Sequence, residues 1–184
     1  MASEGCGCGR RGFLDRRATL AGFVCVALGA TAARAEAALS PAQAVDESFM
    51  RLALAEAAKA DFPFGAVIVR DGRIAATGRN MGVRKNDPTA HGEMVAIHDF
   101  LARHPADRLK GATIYTTGEP CPMCMGAILW CGFGRLVYAA SIAELSTRIG
   151  QIMTTSEQLA QATPFEKIEI TGGVLAKDAL ALFR

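Results

Sequence analysis

The chain is short of several things that would decide its class. Histidine occurs only three times, at His91, His98 and His104. Positive charge is not in excess where it would matter. The net charge of +2 comes from the first 35 residues, which hold Arg10, Arg11, Arg16, Arg17 and Arg34 against Glu4 and Asp15. Residues 36–184 carry 15 basic and 16 acidic side chains. That body has no general attraction for phosphate backbones, so nucleic acid is not an expected partner. Cysteine does not form a disulfide framework: the body holds Cys121, Cys124 and Cys131, an odd number. There is no internal repeat, and no low-complexity tract outside the leader. What the sequence does have is 51% hydrophobic residues, enough for a core, in a length that suits one domain plus a leader.

Residues 1–35 read as an export signal and residues 36–184 as the working domain. Two arginine pairs, Arg10-Arg11 and Arg16-Arg17, precede an uncharged run from Ala18 to Ala33, and Ala33-Arg34-Ala35 has the small-x-small form of a cleavage site. Both pairs resemble twin-arginine signals, which are read by a receptor. The expectation is a periplasmic protein with no membrane segment in its mature form. The uncharged run has 16 residues against the ~20 of a membrane span, so an uncleaved anchor is the alternative. The twin-arginine route carries folded proteins, so a metal site could be filled and its thiolates capped before export.

Along the body, Ser40 and Pro41 suggest a helix start, with a helix from Ala42 to about Lys59 and Val45, Phe49, Leu52 and Ala53 on its apolar stripe. Gly65–Arg70 and Ile74–Gly78 read as strands around an Asp71-Gly72 hairpin turn. Thr89 can cap a helix that carries His91 and Glu93 in its first turn and runs to about Arg103, where Pro105 limits it. Ala112–Thr116 reads as a strand, Pro122–Cys131 as a helix and Leu136–Ala140 as a strand apolar on both faces. Ile142–Gly150 and Ser156–Ala162 are helical candidates, Ile168–Thr171 a last strand and Ala176–Phe183 a terminal helix. This order fits a sheet covered by helices.

Two stretches carry the chemistry. In Glu119-Pro120-Cys121-Pro122-Met123-Cys124, two cysteines three apart open a helix and can present both sulfurs from one turn. In His91-Gly92-Glu93, a histidine can add a third ligand. Two thiolates and an imidazole suit Zn²⁺ and leave the fourth tetrahedral position open for water. Helix N-termini favour thiolates there. Glu93, two residues from His91, can stand beside the metal as a proton shuttle. The competing readings are a closed zinc knuckle and an exported thiol–disulfide oxidoreductase built on Cys121-Pro122-Met123-Cys124. Against the first, His98 lies two turns beyond His91, ~10 Å along the helix. Against the second, the motif comes late in the chain and has His-Gly-Glu upstream. Glu93 alone could also be a carboxylate favoured by the helix dipole.

His-x-Glu followed by Pro-Cys-x-x-Cys resembles the signature of the zinc-dependent cytidine deaminase superfamily. Pro63-Phe64-Gly65-Ala66-Val67, Asp87-Pro88-Thr89-Ala90-His91-Gly92-Glu93 and Glu119 to Ile128 look like its bacterial guanine deaminase and nucleoside deaminase branch. The resemblance covers about Val45 to Ala140. It implies a three-layer αβα fold around a mixed sheet of about five strands, and a homodimer. It also implies a Zn²⁺ held by His91, Cys121 and Cys124, with Glu93 relaying protons. By the same resemblance Asn80 contacts substrate, Phe64 walls the pocket and Ala90 offers backbone to the base. Glu144 stands near a second acidic residue of the guanine enzymes. Asn80 and Phe64 have plain structural readings too, as a turn asparagine and a core aromatic. Glu119 reads as a backbone-facing residue with a possible place in the pocket. Residues 149–184 have no counterpart in the resemblance. The expected substrate is a free base or nucleoside, guanine first, then a cytosine-type base; tRNA adenosine is placed behind them on the charge, the leader and the Pro122-Met123 between the cysteines.

Overall fold

The computed structural model describes residues 39–183; the leader expected over residues 1–35 lies outside them. Alternating apolar residues build the centre. In β1 (Gly65–Arg70), Ala66 and Ile68 face one side of the sheet and Val67 and Val69 the other. In β4 (Arg135–Ala140), Leu136 and Tyr138 alternate with Val137 and Ala139 in the same way. Both strands are covered on both faces, as runs apolar throughout require. β2 (Arg73–Arg79), β3 (Thr113–Gly118) and β5 (Glu169–Thr171) complete a sheet in the order β2-β1-β3-β4-β5. β1 is antiparallel to β2 and β3, while β3, β4 and β5 run parallel. Asp71 and Gly72 both take positive φ in the two-residue turn between Arg70 and Arg73, as the tight hairpin demands.

Helices cover both faces. α2 (Gly92–Leu101) and α3 (Pro122–Trp130) pack through Ala96, Ile97, Phe100, Met125 and Ile128 on one side. α1 (Asp46–Ala57) covers the other through Met50 and Ala53. The short α4 (Ile142–Leu145) and α6 (Ala176–Leu180) add Leu145 and Ala179 to that layer, and α5 (Ser156–Ala162) lies with the first. The fold is a mixed five-strand sheet between helical layers. Each fully buried Ile, Leu, Met or Phe contributes ~1.5–3 kcal/mol of transfer free energy.

Three helix expectations need correction. α1 begins at Asp46, not Ala42, because Ser40 N–H donates to Ile170 O at 2.6 Å and ties that segment to β5. Its buried stripe is Asp46, Met50, Ala53 and Ala57, leaving Val45 and Leu52 exposed. The helix is turned because Asp46, wholly buried, meets Arg135 of β4 in a two-pronged ion pair at 2.7 and 2.9 Å and accepts from Tyr115 Oη at 3.0 Å. α2 is capped by His91 rather than Thr89, whose N–H and hydroxyl both donate to Asp87 Oδ1. α4 stops at Leu145, five residues before Gly150; beyond it the hydroxyls of Ser146 and Thr147 donate to the carbonyls of Ala143 and Glu144.

Candidate active site

Two helices start at the same place. His91 is the N-cap residue of α2 and Cys121 that of α3, both with extended backbone, and Cys124 lies in the first turn of α3. Pro122 at the first helical position of α3 fixes that start. β3 delivers the cysteine segment: Gly118 ends the strand beside Ala140 of β4, and the chain turns through Glu119 and Pro120. α2 approaches closely because Gly78 of β2 and Gly92 lie at the contact. A Cβ on Gly78 would sit 2.2 Å from Gly92 O and 2.4 Å from Ala96 N.

His91 Nδ1 lies 3.6 Å from Cys121 Sγ and 3.5 Å from Cys124 Sγ. Tetrahedral bonds of ~2.3 Å to sulfur and ~2.05 Å to nitrogen would separate those atoms by ~3.6 Å. The donor set and its spacing therefore fit Zn²⁺ without rearrangement. Among the described residues the group has three members, with ligand atoms within 4.8 Å of one another. That is the number expected of an open site, and His98 is not part of it. Cys121 and Cys124 are free of disulfides.

The electrostatics suit a cation. A hydrogen bond from Cys124 is the main cause that brings the Cys121 thiol down to about 4, with His91 adding to it. Cys124, as that donor and by burial, is pushed well up. Hydrogen bonding to Cys121 raises His91 above its ordinary value, against the opposing effect of burial. Metal binding displaces any proton the ligand thiols still carry. Burial pushes the Glu93 carboxyl up to about 6.

A cavity of about 350 Å³ opens over these groups. It is lined by Asn80, His91, Glu93, Glu119 and Cys121, with Phe62 and Phe64 on one side and residues 149–152 as a further wall. Asn80 is nearly buried, and its Oδ1 accepts from Gly82 N–H at 3.1 Å, which fixes the amide and leaves its NH₂ as the donor. Phe64 stacks edge-on against Phe183. Of the residues singled out in the sequence, His91, Cys121, Cys124, Glu93, Asn80 and Phe64 come together here. Ala90 and Glu144 do not line the cavity. Ala90 N–H and carbonyl both bond within the 80–91 loop. Glu144 closes a capping box at the start of α4, accepting from Ser141 N–H and hydroxyl at 2.8 Å. Sequence reasoning missed Phe62 and the wall from Ile149 to Ile152. The available signal was Gly150, set between Ile149 and Gln151 where a helix was expected to end.

Comparison with known proteins extends this geometry. The family model described as the cytidine and deoxycytidylate deaminase zinc-binding region matches residues 43–140. A tRNA-specific adenosine deaminase of Haemophilus influenzae is 38% identical over 138 residues, 72% of this chain and 78% of that protein. The guanine deaminase of Bacillus subtilis is 50% identical over 78 residues, 42% of this chain and 50% of that one. A chloroplastic tRNA adenine-34 deaminase of Arabidopsis thaliana is 48% identical over 100 residues, which span only 8% of its length. The solved structure of a tRNA:A34 deaminase superposes with a TM-score of 0.63 at 32% identity, covering 73% of this chain and 98% of that one. Because the family match runs through both ligand segments and over more than half of the chain, this protein belongs to the cytidine and deoxycytidylate deaminase family of zinc-dependent hydrolytic deaminases.

Proposed function

We propose that the chain removes the exocyclic amine from a purine ring by hydrolysis, with adenine in a tRNA loop as the leading substrate and free guanine as the second reading. The observation that carries the reaction class is the meeting of the His-Cys-Cys triad and a buried carboxylate at one cavity. Bound there, Zn²⁺ supplies the Lewis acidity that makes water a nucleophile near neutral pH. The reaction replaces the C–NH₂ group by C=O and releases ammonia, so one proton of the water must pass to the ring nitrogen and the other to the leaving amine. Glu93 is the carboxylate assigned to carry them. The Asn80 amide would donate to a ring acceptor, and Phe62 and Phe64 would hold the base by its faces. With a Glu93→Gln change we expect zinc content to stay at the wild-type ratio while turnover falls ~10²–10⁴-fold. Near-normal ammonia release by that variant would remove the mechanism.

The tRNA reading is supported by the reach of the similarity. The Haemophilus influenzae tRNA enzyme aligns over 138 residues of this chain, whereas the guanine deaminase match covers 78. This reverses the order of substrates expected from the guanine deaminase-like words, the charge and the leader. Free guanine keeps its place on two observations: the body of the chain has no basic excess, and among the described residues no lysine or arginine lines the cavity. Ammonia release from an anticodon stem-loop, adenosine, guanine, guanosine and cytosine separates them. An RNA substrate makes KM climb steeply with salt, and a neutral base leaves it flat. Export by the twin-arginine leader is part of the small-base reading, since a periplasmic enzyme would meet free bases. Recovery of the chain from the cytoplasm alone would end it.

A further inference from the structure

Glu119 stands immediately before Pro120 and the ligand Cys121, lines the cavity and is itself buried. Its two carboxylate oxygens serve two different helices. Oε2 accepts from Ile142 N–H, the first residue of α4, at 2.8 Å. Oε1 accepts from Ser156 N–H, the first residue of α5, at 2.7 Å. Its own N–H donates to Ala140 O at 2.7 Å, which fixes it to the end of β4. First-turn N–H groups have no partner within their helices, so each bond meets a need that is otherwise unmet in the interior. Both helices already have a side-chain capping box, from Ser141 with Glu144 and from Thr155 with Gln158. Glu119 therefore adds something those boxes do not: a common anchor point for both helix starts.

What lies between those two helices is the cavity wall. α4 ends at Leu145, α5 begins at Ser156, and the intervening segment supplies Ile149, Gly150, Gln151 and Ile152 to the cavity. Ile152 remains 65% exposed, so burial does little to hold that stretch. We infer that Glu119 is the positioning residue of the substrate wall: one carboxylate, two residues from a metal ligand, tethers both flanks of segment 146–155 and so sets the distance between that wall and the reacting centre. Substrate fit and metal position are then linked through a single side chain. This inference rests on the deaminase reading for its kinetic consequence, but not for its structural one.

The test is Glu119→Gln, which keeps shape and places an NH₂ where one N–H donor already points, so one tether is lost. Amide hydrogen exchange over residues 146–155 should accelerate about tenfold or more, the loss of one strong hydrogen bond, with the strands unchanged. KM should increase about tenfold with kcat within about threefold, and zinc content should be unaltered. Gln158→Ala, which breaks only the α5 capping box, should leave KM as it was. Should the Gln variant not fold, Ser156→Pro removes the N–H that donates to Oε1 together with the buried Ser156 hydroxyl, and Ser156→Ala, which keeps that N–H, controls for the hydroxyl. Proline is tolerated at a first helical position, and Thr155 already has the extended backbone it prefers before it. It must give the same exchange pattern and the same KM effect. Unchanged exchange in 146–155 in a folded Gln or Pro variant overturns the inference. So does a fall in kcat with KM constant. The exchange measurement needs no substrate. A chain that deaminates nothing in the panel would sink the proposed function while this inference is still decided.

Discussion

Asp46 and Arg135 show what one residue pair does to a whole helix. Asp46 is fully buried, and a carboxylate in that position is tolerable only with partners on both oxygens. Burial pushes its pKa up, but hydrogen bonds from Arg135, Gln43 N–H and Tyr115 together outweigh that and hold it below 3.8. A carboxylate lowered in this way adds stability that is complete above the unfolded value. That stability disappears as pH drops below 3.8 toward the folded pKa. Chemical denaturation of the wild type should accordingly lose stability through this acidic window, and Asp46→Asn should show a shallower slope there. At neutral pH the same variant should lose about 3–5 kcal/mol, because buried Arg135 keeps its charge with only the exposed Glu169 carboxylate at 3.8 Å and the Thr171 hydroxyl as partners. A loss under 1 kcal/mol would mean that the pair is wetter than its burial indicates.

At the scale of elements, the decisive contact is that between β2 and the start of α2. Gly78→Ala would press a methyl group into the backbone of Gly92 and Ala96. We expect the helix start to shift, zinc affinity to fall by about tenfold and stability by roughly 1–3 kcal/mol, read by metal titration and melting. Elements with a strong local signal could be read from the sequence: β1, a compact Val/Ile-rich run, α3, opened by Pro122, and β4, apolar on both faces, lie within a residue of where they were expected, and α5 where it was placed. α1 was misplaced because its inward-facing residue is an acid, and a stripe drawn through apolar residues turns the helix the wrong way. α4 was overextended because hydroxyls competing for carbonyls leave no trace in hydrophobic periodicity. The ligand triad was legible because its spacing is local to two short words. The cavity wall was not, since it is placed by Glu119 reaching 23 and 37 residues along the chain.

For the molecule as a whole, both halves of the sheet deliver cavity residues: Phe64 precedes β1, Asn80 follows β2 and Glu119 follows β3. β2 also carries the surface on which the start of α2 rests. Among the described residues no helix is long and apolar enough to cross a membrane. A homodimer is the expected assembly, checked by light scattering on the zinc-loaded chain; a monomer at micromolar concentration would remove that expectation. The metal site has one more consequence. Its imidazole and its sulfurs belong to separate helices, joined by a long stretch of chain that includes β3. Any ion held between them is also a clasp, closing a loop that the polypeptide itself leaves open. A chelator should thus do more than silence the enzyme: it should lower the melting temperature and loosen the two helix starts together.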